Sequence, residues 1–319
     1  MNAGRRLVSI AIPAFNESEN LDELVRRLQT VFATLAERYD FEVVVCENGS
    51  SDDSYAKLLR IRAEDRRFKV VQLVRNFHME GGMTAAVAHV SGDACVIMSA
   101  DLQDPPEMIP QLIERWEEGY ENVYTVITRR HGESISRRGA AQVFYWLIDK
   151  LSDRPVPRNS SDFRLVSRAA YTAFNSLPEH ARMVRAMWGW LGFPSIGIEY
   201  ERPKRAGGVS SFNPFVTGPY AVRGILGSSY WPLVLLPLLG LILSALSFTG
   251  LGMMVVRAIF FGVPFPGFGT IVALQLLLFG FLFLLLGILG EYIGMTYEES
   301  RARPHFLLRQ THGIEGEDA

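Results

Sequence analysis

The chain has little that could cross-link or cage it. Its two cysteines, Cys46 and Cys95, fall in apolar stretches without CxxC spacing. That excludes a disulfide framework and a thiolate metal site, and leaves core thiols in a reducing compartment. The six histidines show no metal-ligand spacing. No GxGxxG follows the first apolar stretch and no GxxxxGK[ST] occurs anywhere, which argues against a dinucleotide fold and a P-loop nucleotidase. A net charge of −2 over 319 residues offers nothing global to nucleic acid. Arg5 and Arg6 precede an apolar run that ends at Pro13 as a strand, so no signal peptide is expected.

What is present alternates in period. Leu7–Ala14, Phe41–Cys46, Lys69–Val74, Val96–Met98 and Asn122–Thr128 read as strands. Between them, helical spacing runs through Leu21–Leu35 after an Asn16 or Ser18 cap, then to about Asp65, over Glu80–Val90, and from Pro106 to about Glu118. Such alternation implies a parallel sheet with helices on both faces, and ligands bind beyond the carboxyl ends of its strands. Three strand ends carry acids or amides: Asn16 and Glu17, Glu47 and Asn48, and Asp101 and Gln103. The richest is Ala94–Glu107 (ACVIMSADLQDPPE), where oxygen ligands suit a divalent cation with a phosphate-bearing ligand. The plainer reading of the same stretch is a helix start, with Asp104 as the cap.

The second half differs. Arg129, Arg130, Arg137 and Arg138 stand close together before an amphipathic helix at about 137–151, which suits either a membrane surface or the sheet. Residues 212–230 read as a juxtamembrane amphipathic helix, and apolar runs at 231–256 and 270–294 each exceed the ~20 residues that span a bilayer. Their short connector makes a two-helix hairpin. Arg257 alone in the connector, against Arg202, Lys204, Arg205 and Arg223 before the hairpin and Arg301, Arg303 and Arg309 after it, places both termini in the cytoplasm. Glu291 is expected at the headgroup level. Residues 297–319 form a cytoplasmic tail whose end, QTHGIEGEDA from 310, reads as disordered. Guanidinium forks suit phosphate oxygens, so a diphosphate or a lipid phosphate is the natural ligand.

PAFNE (13–17), ENGSSD (47–52), RNF (75–77), ADLQDPPE (100–107), SDFRLVSR (161–168) and YERPKRAGGVSSF (200–212) occur in that order. With the hairpin, the chain resembles polyprenyl-phosphate glycosyltransferases of glycosyltransferase family 2, a group that includes dolichol-phosphate mannose synthases and bacterial undecaprenyl-phosphate glucosyltransferases. The resemblance covers roughly residues 7 to 300. It implies an α/β fold of the GT-A type in residues 1–211, a nucleotide-sugar donor, Mg²⁺ or Mn²⁺, and a polyprenyl phosphate acceptor at the cytoplasmic face of a bacterial inner membrane. UDP-glucose is the default donor, and a homo-oligomer, a tetramer in relatives with this hairpin, is expected.

Carried over by position, Pro13, Ala14, Glu17, Glu47, Asn48, Asp52, Ser99, Arg202 and Arg205 would serve the nucleotide sugar. Asp101 and Gln103 would hold the metal. Arg129 and Arg137 or Arg138 would meet phosphates. Asp162 matches an acid with a catalytic role in bacterial members; the reading from residues alone is an ion-pair partner of Arg164 or Arg168. The chain departs from the family pattern at Ser99 and Asn48, where acids are common, and at Phe212, where Ser-Lys-Tyr is usual at the site of Ser210-Ser211-Phe212. His78 replaces a common glycine and reads as a surface loop residue. The lost acids keep a second reading open, a membrane-anchored scaffold that binds nucleotide sugar without turning it over. The absence of QxxRW and the presence of only two spans argue against a processive polysaccharide synthase.

Overall fold

The computed structural model describes residues 4–130, 159–179, 184–203, 231–261 and 267–314. The segments 137–151 and 212–230, and Arg137, Arg138 and Arg205, lie outside them.

The strands are β1 (Arg6–Ala14), β2 (Tyr39–Glu47), β3 (Phe68–Leu73), β4 (Ala94–Ile97), β5 (Asn122–Arg130), β6 (Ser160–Ser167), β7 (Ser195–Arg202) and β8 (Leu308–His312). They form one sheet in the order β7-β5-β6-β4-β1-β2-β3-β8. Strands β1 to β5 and β7 share one direction, while β6 and β8 run against it. The central strands are apolar on both faces, as a sheet covered twice requires. Val8, Ile10 and Ile12 of β1 pack into one core with Leu24, Leu28 and Phe32 of helix α1 (Leu21–Leu35). Ala11, Val44, Cys46 and Cys95 pack into a second core with Ala85 and Ala86 of α3 (His78–Ala88). Both thiols are buried in strands, and burial pushes both up in pKa, so they stay protonated.

The expected strands and helices of the first half all form, with α2 at Ser54–Glu64 and α4 at Ile109–Glu117. Three local expectations change. The residue capping α1 is Asn20, not Asn16 or Ser18, and its side chain makes no capping bond. A single 3₁₀ turn, Pro106–Met108, precedes α4, and its cap position is Pro105. Asp104 is therefore not the cap. Leu308–His312 is not disordered: the chain returns to the sheet and adds β8 antiparallel to β3.

Helices α5 (Arg168–Ser176) and α6 (Val184–Leu191) follow β6. Two long helices, α7 (Trp231–Phe261) and α8 (Phe268–Ser300), precede β8. Among the described residues, Leu277–Ser300 is long and apolar enough to cross a membrane, and Leu235–Gly250 is a shorter apolar stretch. Large apolar side chains such as Phe260, Phe283 and Leu284 lie exposed on these helices.

Candidate active site

The parallel strands deliver their loops to one edge of the sheet. Pro13 pairs with Cys46 and Ala14 with Glu47, so the PAFNE and ENGSSD loops leave side by side. They are stapled together. Asn16 N donates to Ser50 Oγ (3.0 Å), Ser51 N to Asn16 Oδ1 (2.8 Å), and Ser18 N to Asp52 Oδ2 (3.1 Å). Asn16 adopts φ 55° to reach these partners. Partial burial works against ionisation of Asp52, but bonds from Ser54 and Ser18 outweigh it and hold its carboxyl below the ordinary range. Glu17 is buried and accepts from Asn20 Nδ2 at 2.6 Å. Glu47 is buried and accepts from Ser50 N at 2.5 Å.

Asn48 does something an acid cannot. Its Oδ1 accepts from Phe77 N (2.9 Å) while its Nδ2 donates to the His78 carbonyl (2.7 Å). The clamp holds the RNFH loop where His78 sits exposed at φ 60°, a conformation that favours glycine.

At the end of β4 the chain turns through Ser99, Asp101 and Leu102, the last at φ 61°. Ser99 Oγ lies 2.7 Å from Asp101 Oδ1 and 2.7 Å from Asp104 Oδ2, and its one O–H can serve only one of them at a time. Ser99 N and Gln103 N add bonds to Asp104 (2.9 Å) and Asp101 (3.1 Å). Asp104 is the buried hub of the turn, with Tyr200 Oη at 3.3 Å and an Arg202 nitrogen at 3.8 Å. Burial raises its pKa against the pull of Arg202 and Ser99, and the nearby Asp101 adds to the rise. Arg202 brings a further feature: its Nε–H is buried without a partner among the described residues.

Asp162 reaches the same edge on β6, where Arg164 lies opposite Ile97 of β4. Its partner is neither Arg164 nor Arg168. Arg185 of α6 grips both carboxylate oxygens, Nε to Oδ1 at 3.1 Å and a terminal nitrogen to Oδ2 at 2.6 Å. Arg164 is buried and donates to the Ser161 carbonyl at 3.0 Å. Burial pushes it down to about 10, against the attraction of Asp162. Arg168 bonds Asp93 and the Ser91 carbonyl instead. Arg129 falls on the last residues of β5, opposite Glu201.

The structure thus gathers Pro13, Ala14, Glu17, Glu47, Asn48, Asp52, Ser99, Asp101, Gln103, Asp162 and Arg202 along the carboxyl edge. Sequence reasoning missed Arg185, which comes from an element distant in the chain and carries no spacing signal, and gave no role to Tyr200, although it opens the YERPKRAGGVSSF motif. It also missed Asp104 as a hub, because Asp-Pro-Pro matches a cap locally.

Among the described residues, no group of three or more His, Cys, Asp or Glu could cage a metal. Asp101 and Gln103 offer one carboxylate and one amide oxygen. Mg²⁺-type ions are commonly held by one or two carboxylates with substrate phosphates and water. The donor set therefore fits a cation that arrives with a diphosphate, and the orphan Arg202 N–H fits an anion beside it.

The profile of Glycosyl transferase family 2 matches residues 9–174. The chain is 34% identical over 308 residues to an uncharacterized glycosyltransferase of Synechocystis sp., covering 97% of this chain and 96% of that one. It is 32% identical over 308 residues to the SfII prophage-derived bactoprenol glucosyl transferase of Shigella flexneri, covering 96% and 98%. Among solved structures, mannosyl-3-phosphoglycerate synthase from Rubrobacter xylanophilus superposes with a TM-score of 0.50 at 16% identity, over 70% of this chain and 73% of that one. That likeness bears on fold alone, and with the sheet order it marks the fold as GT-A-like.

Proposed function

The chain belongs to glycosyltransferase family 2 and is a glycosyltransferase; from that premise we propose that it moves a sugar from a nucleotide-sugar donor to a polyprenyl phosphate at a membrane. The convergence of Asp101, Gln103, Arg202 and Asp162 at one sheet edge carries the proposal. The bactoprenol acceptor of the Shigella relative and the apolar stretch Leu277–Ser300 support a lipid acceptor.

In this reading the loops of Pro13–Glu17 and Glu47–Asp52 receive the nucleotide, with a UDP-sugar, UDP-glucose first, as donor. Asp101 and Gln103 would hold a divalent cation, Mg²⁺ or Mn²⁺, which when bound supplies Lewis-acid stabilisation of the leaving diphosphate. Arg202, with Arg205, offers fixed positive charge to the same diphosphate. Arg129, Arg137 and Arg138 take the lipid phosphate. A phosphate oxygen of the acceptor forms a bond to the anomeric carbon as the bond to the nucleoside diphosphate breaks, and the electron pair leaves with the diphosphate. The product is inverted. A second phosphate pKa of about 6 leaves the acceptor largely ionised at neutral pH, so a strong base is not required. Asp162 then orients sugar hydroxyls as an acceptor.

Residues 1–211 form the catalytic unit, 212–230 lie along the membrane, and 231–256 with 270–294 span it as a hairpin with both ends cytoplasmic. A homo-oligomer follows the same reading. The test is transfer. The membrane-embedded protein, undecaprenyl phosphate, Mg²⁺ or Mn²⁺ and a panel of labelled nucleotide sugars should yield one labelled lipid. Labelled lipid should disappear with Asp101→Ala. A panel without lipid product rejects the proposal.

A further inference from the structure

We infer that Arg185 is the positioning residue for Asp162, fixing the direction of its carboxylate within the reading proposed above. The two N–H groups of Arg185 meet the two oxygens of Asp162 as a fork. A single bond would leave the carboxylate free to swing about its own axis. A fork stops that rotation and still leaves each oxygen a second lone pair for a ligand. The pair is accessible enough to meet one: the Asp162 side chain keeps 31% of its surface and that of Arg185 28%.

The fork is rigidly mounted. On α6, Val184, Met187 and Trp188 are buried, and the Trp188 ring stacks on Phe174 of α5 at 4.2 Å. Arg185 stands half-buried beside that anchored face. Arg164 does not compete for the carboxylate: it donates to the Ser161 carbonyl and lies over the Trp188 ring.

Among the described residues, the charged groups that face Asp162 are Arg185 from α6, Arg164 from its own strand and Arg202 from β7. Burial would push the Asp162 carboxyl up, but Arg185 foremost, with Arg164 and Arg202, holds it below the ordinary carboxylate range. Asp162 therefore stays ionised through neutral pH. Its work is to accept hydrogen bonds in a fixed direction, which a proton carrier could not do as constantly.

The experiment uses the full chain in lipid nanodiscs, comparing wild type with Arg185→Gln, Arg185→Lys and Asp162→Asn. Arg185→Gln should lower kcat about 10²-fold, the scale of a misplaced catalytic group, with donor KM little changed. Arg185→Lys should recover part of that loss, because it keeps the charge and loses the fork. Adding Arg185→Gln to Asp162→Asn should cost nothing further. A carboxyl ¹³C titration, assigned through Asp162→Asn, should show the Asp162 midpoint rising in Arg185→Gln and rising less in Arg185→Lys, which keeps the charge. Wild-type kcat in both Arg185 variants, full additivity with Asp162→Asn, or an unmoved midpoint overturns the inference. Should Arg185→Gln fail to fold, Arg185→Lys alone decides by the same measurements. The titration needs no turnover, so a wild type that makes no lipid-linked sugar rejects the acceptor reading while the inference is still decided.

Discussion

Two residues show how tightly the loops proposed to receive the nucleotide are built. Gly49 sits at φ 71°, and a Cβ there would fall 2.5 Å from the carbonyl carbon of Arg75. Gly49→Ala should cost at least about 1–2 kcal/mol from the left-handed backbone alone, read in denaturant unfolding, and should weaken donor binding in a thermal-shift titration. Asn48→Asp keeps the acceptor for Phe77 N but removes the donor to the His78 carbonyl. A loss of roughly 1–3 kcal/mol is expected for the stranded group, measured by the same unfolding curve; an unchanged curve would return Asn48 to the role of a plain substitute for an acid.

The edge of the site was legible because motif residues sit at strand ends, where a parallel sheet must present them. The partners of those residues were not. Asn48 reads as a lost charge until its amide is seen spanning two backbone groups. Asp162 reads as the neighbour of Arg164, which shares its strand, until Arg185 arrives from α6.

At the scale of elements, strand β8 changes the meaning of the chain's end. Val74 N donates to the Leu307 carbonyl (3.0 Å), and Tyr55 Oη bonds Gln310 (2.9 Å) and lies 3.0 Å from His312 Nε2. Phe306 and Ile314 pack against the second core. Polar composition from 310 onward suggested disorder, because the pairing partner, β3, lies more than 200 residues earlier and local pattern cannot register it. Phe306→Ala should lower stability by about 2 kcal/mol, below the range for a fully buried ring. Truncation before Phe306 should lower it further and bare the β3 edge to self-association; calorimetry and light scattering read the two effects.

In the interior of the sheet, Glu42 of β2 is buried and accepts from Ser9 of β1, Lys69 of β3 and Ser91. Burial disfavours its charge, but Lys69 first, then Ser9 and Ser91, lower its pKa below the ordinary value. An acid depressed in the fold stabilises it above the unfolded pKa, about 4.3, and that stability is lost as pH falls through the folded value. Lys69→Met removes the chief partner of a buried carboxylate. It should cost roughly 2–4 kcal/mol at neutral pH and flatten the acid-side loss of stability, so that the gap to wild type closes as pH falls and Glu42 protonates, read as melting temperature against pH.

The whole molecule joins a GT-A-like sheet to a helical segment whose apolar side chains lie exposed. The alternation of strand and helix made the layered sheet legible, since burial on both faces forces apolar strands. The apolar runs made legible, through length alone, a helix long and apolar enough to cross a membrane. The antiparallel insertion of β6 between β4 and β5 was not legible, because a strand's direction leaves no mark on its composition. The central claim is a single, inverting displacement from nucleotide sugar onto a lipid phosphate, and the anomeric configuration of the product tests it most directly. Incubation with an α-linked nucleotide sugar and undecaprenyl phosphate, followed by ¹H and ³¹P NMR of the lipid extract, should show a β-linked sugar in a phosphodiester to the polyprenol. An α-linked lipid product, or label recovered only as free sugar in water, would contradict it.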